Sequence, residues 1–359
     1  MRPETIVPQL LDWFSSNARD LPWRRTGDPY AIWVSEVMLQ QTQVKTVLPY
    51  WERWMRALPT IGSLARARPE KIHKLWEGLG YYTRVRNMQK AAKRIRQKHG
   101  GEFPGNFEQV LALPGIGRYT AGAICSIAFN QACPVLDGNV IRVLTRVFGI
   151  DGDPKSRTVN RSLWNLAEQL VRHAKSLHYQ DGDAGQATCS HLNQALMELG
   201  ALICTPRQPK CEACPVRNRC KARRQRRTES LPATALRAKT TKRRFLAFVL
   251  ERKGKLLVRQ RPAGVVNGHL WEFPNIEVSN DDGAPNAAAR NALGYTPSQI
   301  TPLCRISHSI TRYRIRMDVF HGVADAPVPR RRQLGRWLSR RELRRLPFAS
   351  AHKKVLARL

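Results

Sequence analysis

Leu113-Pro114-Gly115-Ile116-Gly117-Arg118-Tyr119-Thr120-Ala121 lies between two stretches of helical periodicity, and its two glycines let the chain reverse in a tight hairpin. Backbone N–H groups of that turn, with those at the start of the following helix, can face a phosphate oxygen without side-chain obstruction. The stretch reads as a helix-hairpin-helix element, with Gly115, Gly117, Arg118 and Thr120 as the expected DNA-facing positions. A plain structural turn is the competing reading, because Pro-Gly-x-Gly alone is a weak signal. The flanking helices and the charge of the chain favour the binding element.

Outward from the hairpin, residues 1–222 are dense in helical periodicity and nearly free of strand alternation, which predicts an all-α first domain. Pro29 to Met55 carries Ile32, Trp33, Val37, Val44, Val47, Leu48 and Trp51 at spacings of two helical stripes, with Pro49 interrupting late. Further helices are expected at 70–78, 84–98, 106–112, 119–128, 139–148, 159–172 and 190–203. Lys221 to Arg244 is basic, polar and poor in large apolar groups, so residues 223–243 read as a solvated linker. Arg244–Leu250, Lys255–Arg259 and Arg314–Phe320 read as strands, the last with strict alternation, and predict an α+β domain over 244–359. No internal repeat relates the halves.

The 359 residues suffice for two ordinary domains, and 42% hydrophobic composition supports packed cores. No apolar run approaches the roughly 18 residues that span a bilayer. The net charge of +34, from 61 basic and 27 acidic residues, exceeds what solubility requires and points to a polyanion, with nucleic acid leading.

Cys204, Cys211, Cys214 and Cys220 form C-x6-C-x2-C-x5-C within 17 residues and read as one metal site. Cys125, Cys133, Cys189 and Cys304 are scattered singly, and no secretory signal is recognisable at the start, so a reducing compartment is expected. Four thiolates suit either zinc or a cubane iron-sulfur cluster; the single Cys-x2-Cys knuckle with longer arms tilts the reading toward the cluster.

Together the hairpin, Val135-Leu136-Asp137-Gly138-Asn139-Val140 and the four cysteines resemble the endonuclease III superfamily of helix-hairpin-helix DNA glycosylases. Leu21-Pro22-Trp23-Arg24, Ser35-Glu36-Val37-Met38-Leu39-Gln40-Gln41-Thr42 and Gly78-Leu79-Gly80-Tyr81-Tyr82-Thr83-Arg84 are similar to the MutY-like adenine glycosylases within it, which also carry a basic linker and a mixed α+β domain. The resemblance is specific over residues 5–222 and weaker beyond. It implies base excision repair of double-stranded DNA: adenine mispaired with 8-oxoguanine or guanine is removed by a cytoplasmic, nucleoid-associated monomer holding one 4Fe-4S cluster.

The chemistry of individual residues agrees with that implication. Releasing a purine needs a proton for the base and negative charge near the oxocarbenium-like sugar, hence two carboxylates in different environments. Glu36, embedded among Ile32, Trp33, Val34, Val37 and Met38, suits the general acid, because desolvation should keep it protonated near neutrality. Asp137 stands at an expected helix start, where local N–H groups and the helix dipole should keep it ionised. A simple N-cap is an equally good reading of the residue alone; the resemblance makes it the stabilising carboxylate and adds Asn139 to the catalytic set. Superfamily members that also cut the backbone carry a lysine where Tyr119 stands here, so base removal without strand cleavage is expected.

By resemblance, Gln41 and Tyr81 fill the gap left by a flipped base, while Trp23, Arg24 and Gln194 line the adenine pocket. Arg207, Lys210, Arg217, Arg219 and Lys221 would offer positive charge to phosphates. His178 to Ser190 reads as a loop insertion. Alignment on the strand Tyr313–Phe320 places Ile310, Thr311 and Arg312 where the family carries a Phe-Ser-His lesion-reading motif; Ile306-Ser307-His308 copies it better but shifts the strand. The second domain resembles Nudix domains, yet Asn280–Gly294 lacks paired glutamates, so it should bind and not hydrolyse. A bifunctional endonuclease of the same superfamily and a non-catalytic, zinc-bearing DNA-binding protein are the rival readings.

Overall fold

The computed structural model describes the chain except for residues 1, 178–187, 234–239, 280–283, 311 and 325–334. Most of the expected loop insertion at 178–190 therefore lies outside the described residues. The chain divides into two compact units, Met1–Arg66 with Asn87–Leu236, and Ala67–Arg86 with Arg237–Leu359.

The helical part comprises α1 (Val7–Asn17), α2 (Pro29–Leu39), α3 (Val44–Ala57), α4 (Ile61–Arg66), α5 (Pro69–Trp76), α6 (Thr83–Lys98), α7 (Phe107–Leu111), α8 (Arg118–Phe129), α9 (Gly138–Phe148), α10 (Arg157–Ser176), α11 (Thr188–Leu202) and α12 (Lys221–Arg224). All helices expected between residues 70 and 203 are present. Asp28 caps α2 by accepting from the N–H groups of Tyr30 and Ala31, worth about 1 kcal/mol for such a cap. The helix is apolar on every side, so Tyr30 through Met38 are buried, Glu36 included.

Two glycines set the approach of elements at the site. Gly115 has φ of +79°, and a Cβ there would lie 2.5 Å from the Asn87 Cβ, so only glycine lets the hairpin close onto α6. In α11, a Cβ on Gly200 would lie 2.6 Å from the Asn139 Cβ, which brings the start of α9 against this helix. Val140, Val143, Leu144 and Val147 of α9 join Leu10, Leu196 and Leu199 in one core.

The first unit continues past the expected linker boundary. Ala222 and Leu231 are buried with Cys220, and Arg146 donates to the Leu231 carbonyl at 2.9 Å. The basic composition hid this, because the ordering comes from one leucine and from a guanidinium supplied by α9.

The second unit is built on β1 (Thr241–Arg252), β2 (Lys255–Gln260), β3 (Trp271–Glu272), β4 (Asn275–Val278), β5 (Ile300–Ile310), β6 (Tyr313–Val323) and β7 (Arg336–Ser339), with α13 (Pro285–Leu293), α14 (Arg340–Leu343) and α15 (Ser350–Leu356). The sheet order is β3-β2-β1-β6-β5, with β4 on β1 and β7 on β2; β1 and β6 are parallel and β5–β6 is a hairpin. β1 is buried on both faces: Leu246, Phe248 and Leu250 pack with α13, while Ala247 and Val249 join Phe348 and Val355. Alternation in β6 holds until Asp318, whose buried carboxylate is bonded by Arg244, Arg305 and Arg316. No helix among the described residues is long and apolar enough to cross a membrane.

Candidate active site

A cleft of about 820 Å³ in the first unit gathers residues from α2, the turn after it, α8, the start of α9 and α11. Trp23, Arg24, Glu36, Gln41, Tyr119, Asp137, Asn139 and Gln194 all line it. Residues far apart in sequence thus meet in one cleft.

Glu36 is 6% exposed, and the Tyr119 hydroxyl donates to its Oε2 at 2.6 Å. Burial pushes the Glu36 carboxyl up to about 7, aided by the nearby Asp137 and opposed by the Tyr119 hydrogen bond and Arg24. Tyr119 is itself pushed up, by burial first and then by both carboxylates.

Asp137 is the N-cap of α9 and accepts from the Val140 N–H at 2.8 Å and from Asn139 Nδ2 at 3.0 Å. Its titration moves upward, opposite to the direction expected from a helix start. Burial is the largest influence, and it outweighs the N–H groups of Val140 and Asn139 and the charge of Arg142. Asp137 is a buried cap, and the helix start offsets only part of the desolvation.

Arg24 is held rather than free to swing. Its Nη2 donates to Glu198 Oε2 at 2.9 Å, its Nη1 to the Arg19 carbonyl at 3.0 Å, and Arg19 Nε reaches Glu198 Oε1 at 2.7 Å. Burial acts to raise Glu198, but the bonds from Arg19 and Arg24 win and lower it to about 2. Gln194 Nε2 donates to Ser190 Oγ at 3.0 Å, and Trp23 meets Trp51 edge-on at 5.9 Å.

In the hairpin, Gly115, Gly117 and Arg118 are exposed, and the Arg118 guanidinium lies 4.0 Å over the Trp164 ring. The Thr120 side chain is buried, its hydroxyl accepting from Gln40 at 3.5 Å, so only its backbone can face a phosphate. Gln41 and Tyr81, in separate units, both adopt left-handed backbone, with φ of 58° and 46°, a costly conformation for non-glycine residues that concentrates at functional positions. Tyr81 is 49% exposed, with the Arg84 guanidinium 5.3 Å from its ring.

Glu198, Arg19, Arg142 and Arg146 are site residues that inspection of the sequence missed. Glu198 carried the signal that identified Glu36, an acid among apolar helix neighbours. Arg142 donates to Asn139 Oδ1 at 2.8 Å and to the Gly200 and Cys204 carbonyls at 2.7 Å each. No local pattern marks such a residue.

Cys204, Cys211, Cys214 and Cys220 line one cavity with Val143, Leu199 and Arg146. Arg146 is 2% exposed, its Nη1 lying 3.5 Å from Cys204 Sγ and donating to the Thr205 carbonyl at 2.6 Å. Burial pushes Cys211 and Cys220 up, and Cys214 to about 12. An all-sulfur donor set in a pocket that also holds the buried Arg146 guanidinium fits a thiolate-bound iron-sulfur group.

In the second unit Ile310, the last residue of β5, pairs with Tyr313, the first of β6. Thr311 lies outside the described residues. Arg312 donates to the Tyr313 hydroxyl at 3.1 Å. Ile306 is 3% exposed in the sheet core, while Ser307 is exposed mid-strand opposite Arg316.

Residues 34–169 match the family described as HhH-GPD superfamily base excision DNA repair protein, residues 204–220 the iron-sulfur binding domain of endonuclease III, and residues 246–358 the NUDIX domain. The chain is 36% identical to the adenine DNA glycosylase of Rattus norvegicus, over 96% of this chain and 76% of the rat protein. It is also 36% identical to that of Homo sapiens, over 96% of this chain and 72% of the human one. The solved structure of a thermostable thymine-DNA glycosylase aligns with a TM-score of 0.54 at 29% identity, over 62% of this chain and 97% of that one.

Proposed function

This chain belongs to the adenine DNA glycosylase family, and on that premise we propose that it hydrolyses the N-glycosidic bond of adenine mispaired with 8-oxoguanine, or with guanine, in duplex DNA. The observation that carries the reading is the buried Glu36 carboxyl in the wall of the cleft, pushed up to about 7 and bonded by Tyr119. A group titrating there holds a proton at neutral pH and can still release it to the departing base.

Asp137, fixed by the Val140 N–H and the Asn139 amide, supplies negative charge to the oxocarbenium-like sugar. Tyr119 offers a phenol and no amine, so no Schiff base forms and water completes the reaction without strand cleavage. Trp23, Arg24 and Gln194 line the adenine pocket, and the Glu198 carboxylate keeps the guanidinium of Arg24 in place. Gln41 and Tyr81 fill the space left by the flipped nucleotide, and Gly115, Gly117, Arg118 and the Thr120 backbone hold phosphates.

Cys204, Cys211, Cys214 and Cys220 hold a single 4Fe-4S cluster, a reading supported by the matched iron-sulfur domain and the sulfur-lined cavity. Bound there, it would anchor the basic loop rather than enter the reaction. Functionally the chain divides into 1–222, the 223–243 connection and 244–359, acting as a monomer on nucleoid DNA in the cytoplasm.

The second domain reads the base opposite adenine through Ile310, Thr311 and Arg312. The commitment of Ile306 to the core supports this alignment over one at Ile306-Ser307-His308. α13 carries no acidic residue, which supports binding without hydrolysis.

The test is a glycosylase assay with wild type and Glu36→Gln on duplexes with adenine opposite 8-oxoguanine, guanine or thymine. We expect release from the first two and none from the variant. Equal release opposite all three, or strand nicks without alkali, would refute the reading.

A further inference from the structure

Outside the cleft and the four-cysteine cavity, the first unit contains a second group of thiols. Cys125, on α8, is fully buried; Cys133 is half-exposed on the strap of residues 130–137 that carries the chain from α8 to Asp137. The Cys133 thiol donates to Gln131 Oε1 at 3.9 Å, and the Cys125 and Cys133 thiols are close enough to shift each other's titration. The strap is held tightly on the helix. The Gln131 N–H donates to the Cys125 carbonyl at 3.1 Å, Asn193 Nδ2 donates to the Cys133 carbonyl at 2.8 Å, and a Cβ on Gly122 would stand 2.2 Å from the Pro134 carbonyl oxygen. Cys189, the third thiol of the region, is buried and turned to the Val171 carbonyl at 3.7 Å.

We propose that Cys125 and Cys133 are an oxidant-responsive pair, which a hydroperoxide converts into an intrachain disulfide tying the strap that bears Asp137 to the helix that bears Tyr119. Cys133 is the accessible member of the pair and Cys125 is fully buried, so Cys133 is the attacking partner; the lowering of the Cys133 thiol and the raising of Cys125 run in the same direction. Its thiolate attacks one peroxide oxygen; the O–O bond breaks, hydroxide leaves, and a sulfenic acid forms. The Cys125 sulfur then attacks the sulfenyl sulfur, the S–O bond breaks, and the departing hydroxide takes the Cys125 proton as water. Two thiols lose two electrons and hydrogen peroxide becomes two waters. The pairing stands independently of the catalytic assignment, whereas its effect on turnover rests on that assignment.

The cluster-loaded full chain is treated with limiting hydrogen peroxide, alkylated with iodoacetamide and digested with trypsin without reductant. Both cysteines fall in the single tryptic peptide Tyr119–Arg142, which has no internal Lys or Arg. We expect this peptide two hydrogens lighter and unalkylated, and doubly alkylated after dithiothreitol. Oxidised wild type should release adenine several-fold more slowly than Cys133→Ser treated identically at equal cluster content, and dithiothreitol should restore it. A doubly alkylated peptide after oxidation, a Cys133–Cys189 link, or Cys133 found as sulfinic acid would overturn the pair; the mapping uses wild type and depends on no variant. A disulfide that leaves turnover unchanged would overturn its action on the site, and loss of adenine release before oxidation would instead indict the glycosylase reading.

Discussion

Tyr119 donates to Glu36 across 2.6 Å, linking the hairpin helix to α2, whose residues from Tyr30 to Met38 are all buried. The bond opposes the burial of Glu36, so the proton affinity of the carboxyl is set by two structural elements acting in opposite directions.

With Glu36 as the proposed acid, adenine release under single turnover should fall as pH rises through about 7. Tyr119→Phe removes the influence that lowers Glu36, so the alkaline limb of the profile should move to higher pH. A profile that stays in place, or moves to lower pH, would sever the link between the two residues.

The same shift is linked to stability. Glu36 is raised from its ordinary 4.5, so its contribution is fully present below that value and lost as pH rises through about 7. Glu36→Gln removes a buried group that must ionise, and by about pH 8 it should gain roughly 3 kcal/mol relative to wild type, with little difference at about pH 4. Thermal melts at the two pH values check the sign.

Glu198 behaves in the reverse sense. Its carboxylate is 1% exposed and lowered to about 2, so its contribution is present above 4.5 and lost as pH falls toward 2. Glu198→Gln should cost about 3 kcal/mol at neutral pH, since it leaves Arg24 and Arg19 without their buried counter-charge. Unfolding midpoints near neutrality should drop, and the gap to wild type should narrow in acid.

Tyr119→Lys puts an amine at the position used by backbone-cutting relatives, so borohydride should trap a covalent protein–DNA complex that wild type does not give. Efficient trapping by wild type would end the hydrolytic reading.

Much of this site was legible because its signals are local. Glu36 sits in an apolar run, Tyr119 follows two glycines, and four cysteines crowd one loop. Arg142 and Arg146 were not legible, because each acts through carbonyls 58 to 62 residues away, at Gly200 and Cys204 or at Thr205 and Pro206, and an arginine on a helix looks like any solvated cation. Asp137 stands at the expected helix start, yet the upward pull of burial on its titration was not legible, because burial is a property of the assembled core. Leu231 anchors a stretch whose composition reads as linker. The inclusion of Ala67–Arg86 in the second unit had no local signal at all: it depends on contacts such as Glu77 accepting from the Phe348 N–H at 2.8 Å.

That last contact also decides how the lesion-reading assignment is best tested. Deleting the residues after 236 would strip Glu77 and Lys74 of the Phe348 N–H and the Leu346 carbonyl, so lost selectivity could reflect a disturbed Ala67–Arg86. Point changes at the β5–β6 hairpin avoid this. Ile310 ends β5 opposite Tyr313, whereas Ser307 is mid-strand opposite Arg316. A hydroxyl contact is typically worth about 1 kcal/mol, so Thr311→Val should reduce the preference for 8-oxoguanine over guanine several-fold, with adenine release opposite guanine unchanged. Ser307→Ala should leave the preference intact. Single-turnover rates on the two duplexes decide between the alignments: if Ser307→Ala is the damaging change, the lesion contacts lie four residues earlier in β5, and Ile310, Thr311 and Arg312 have another task.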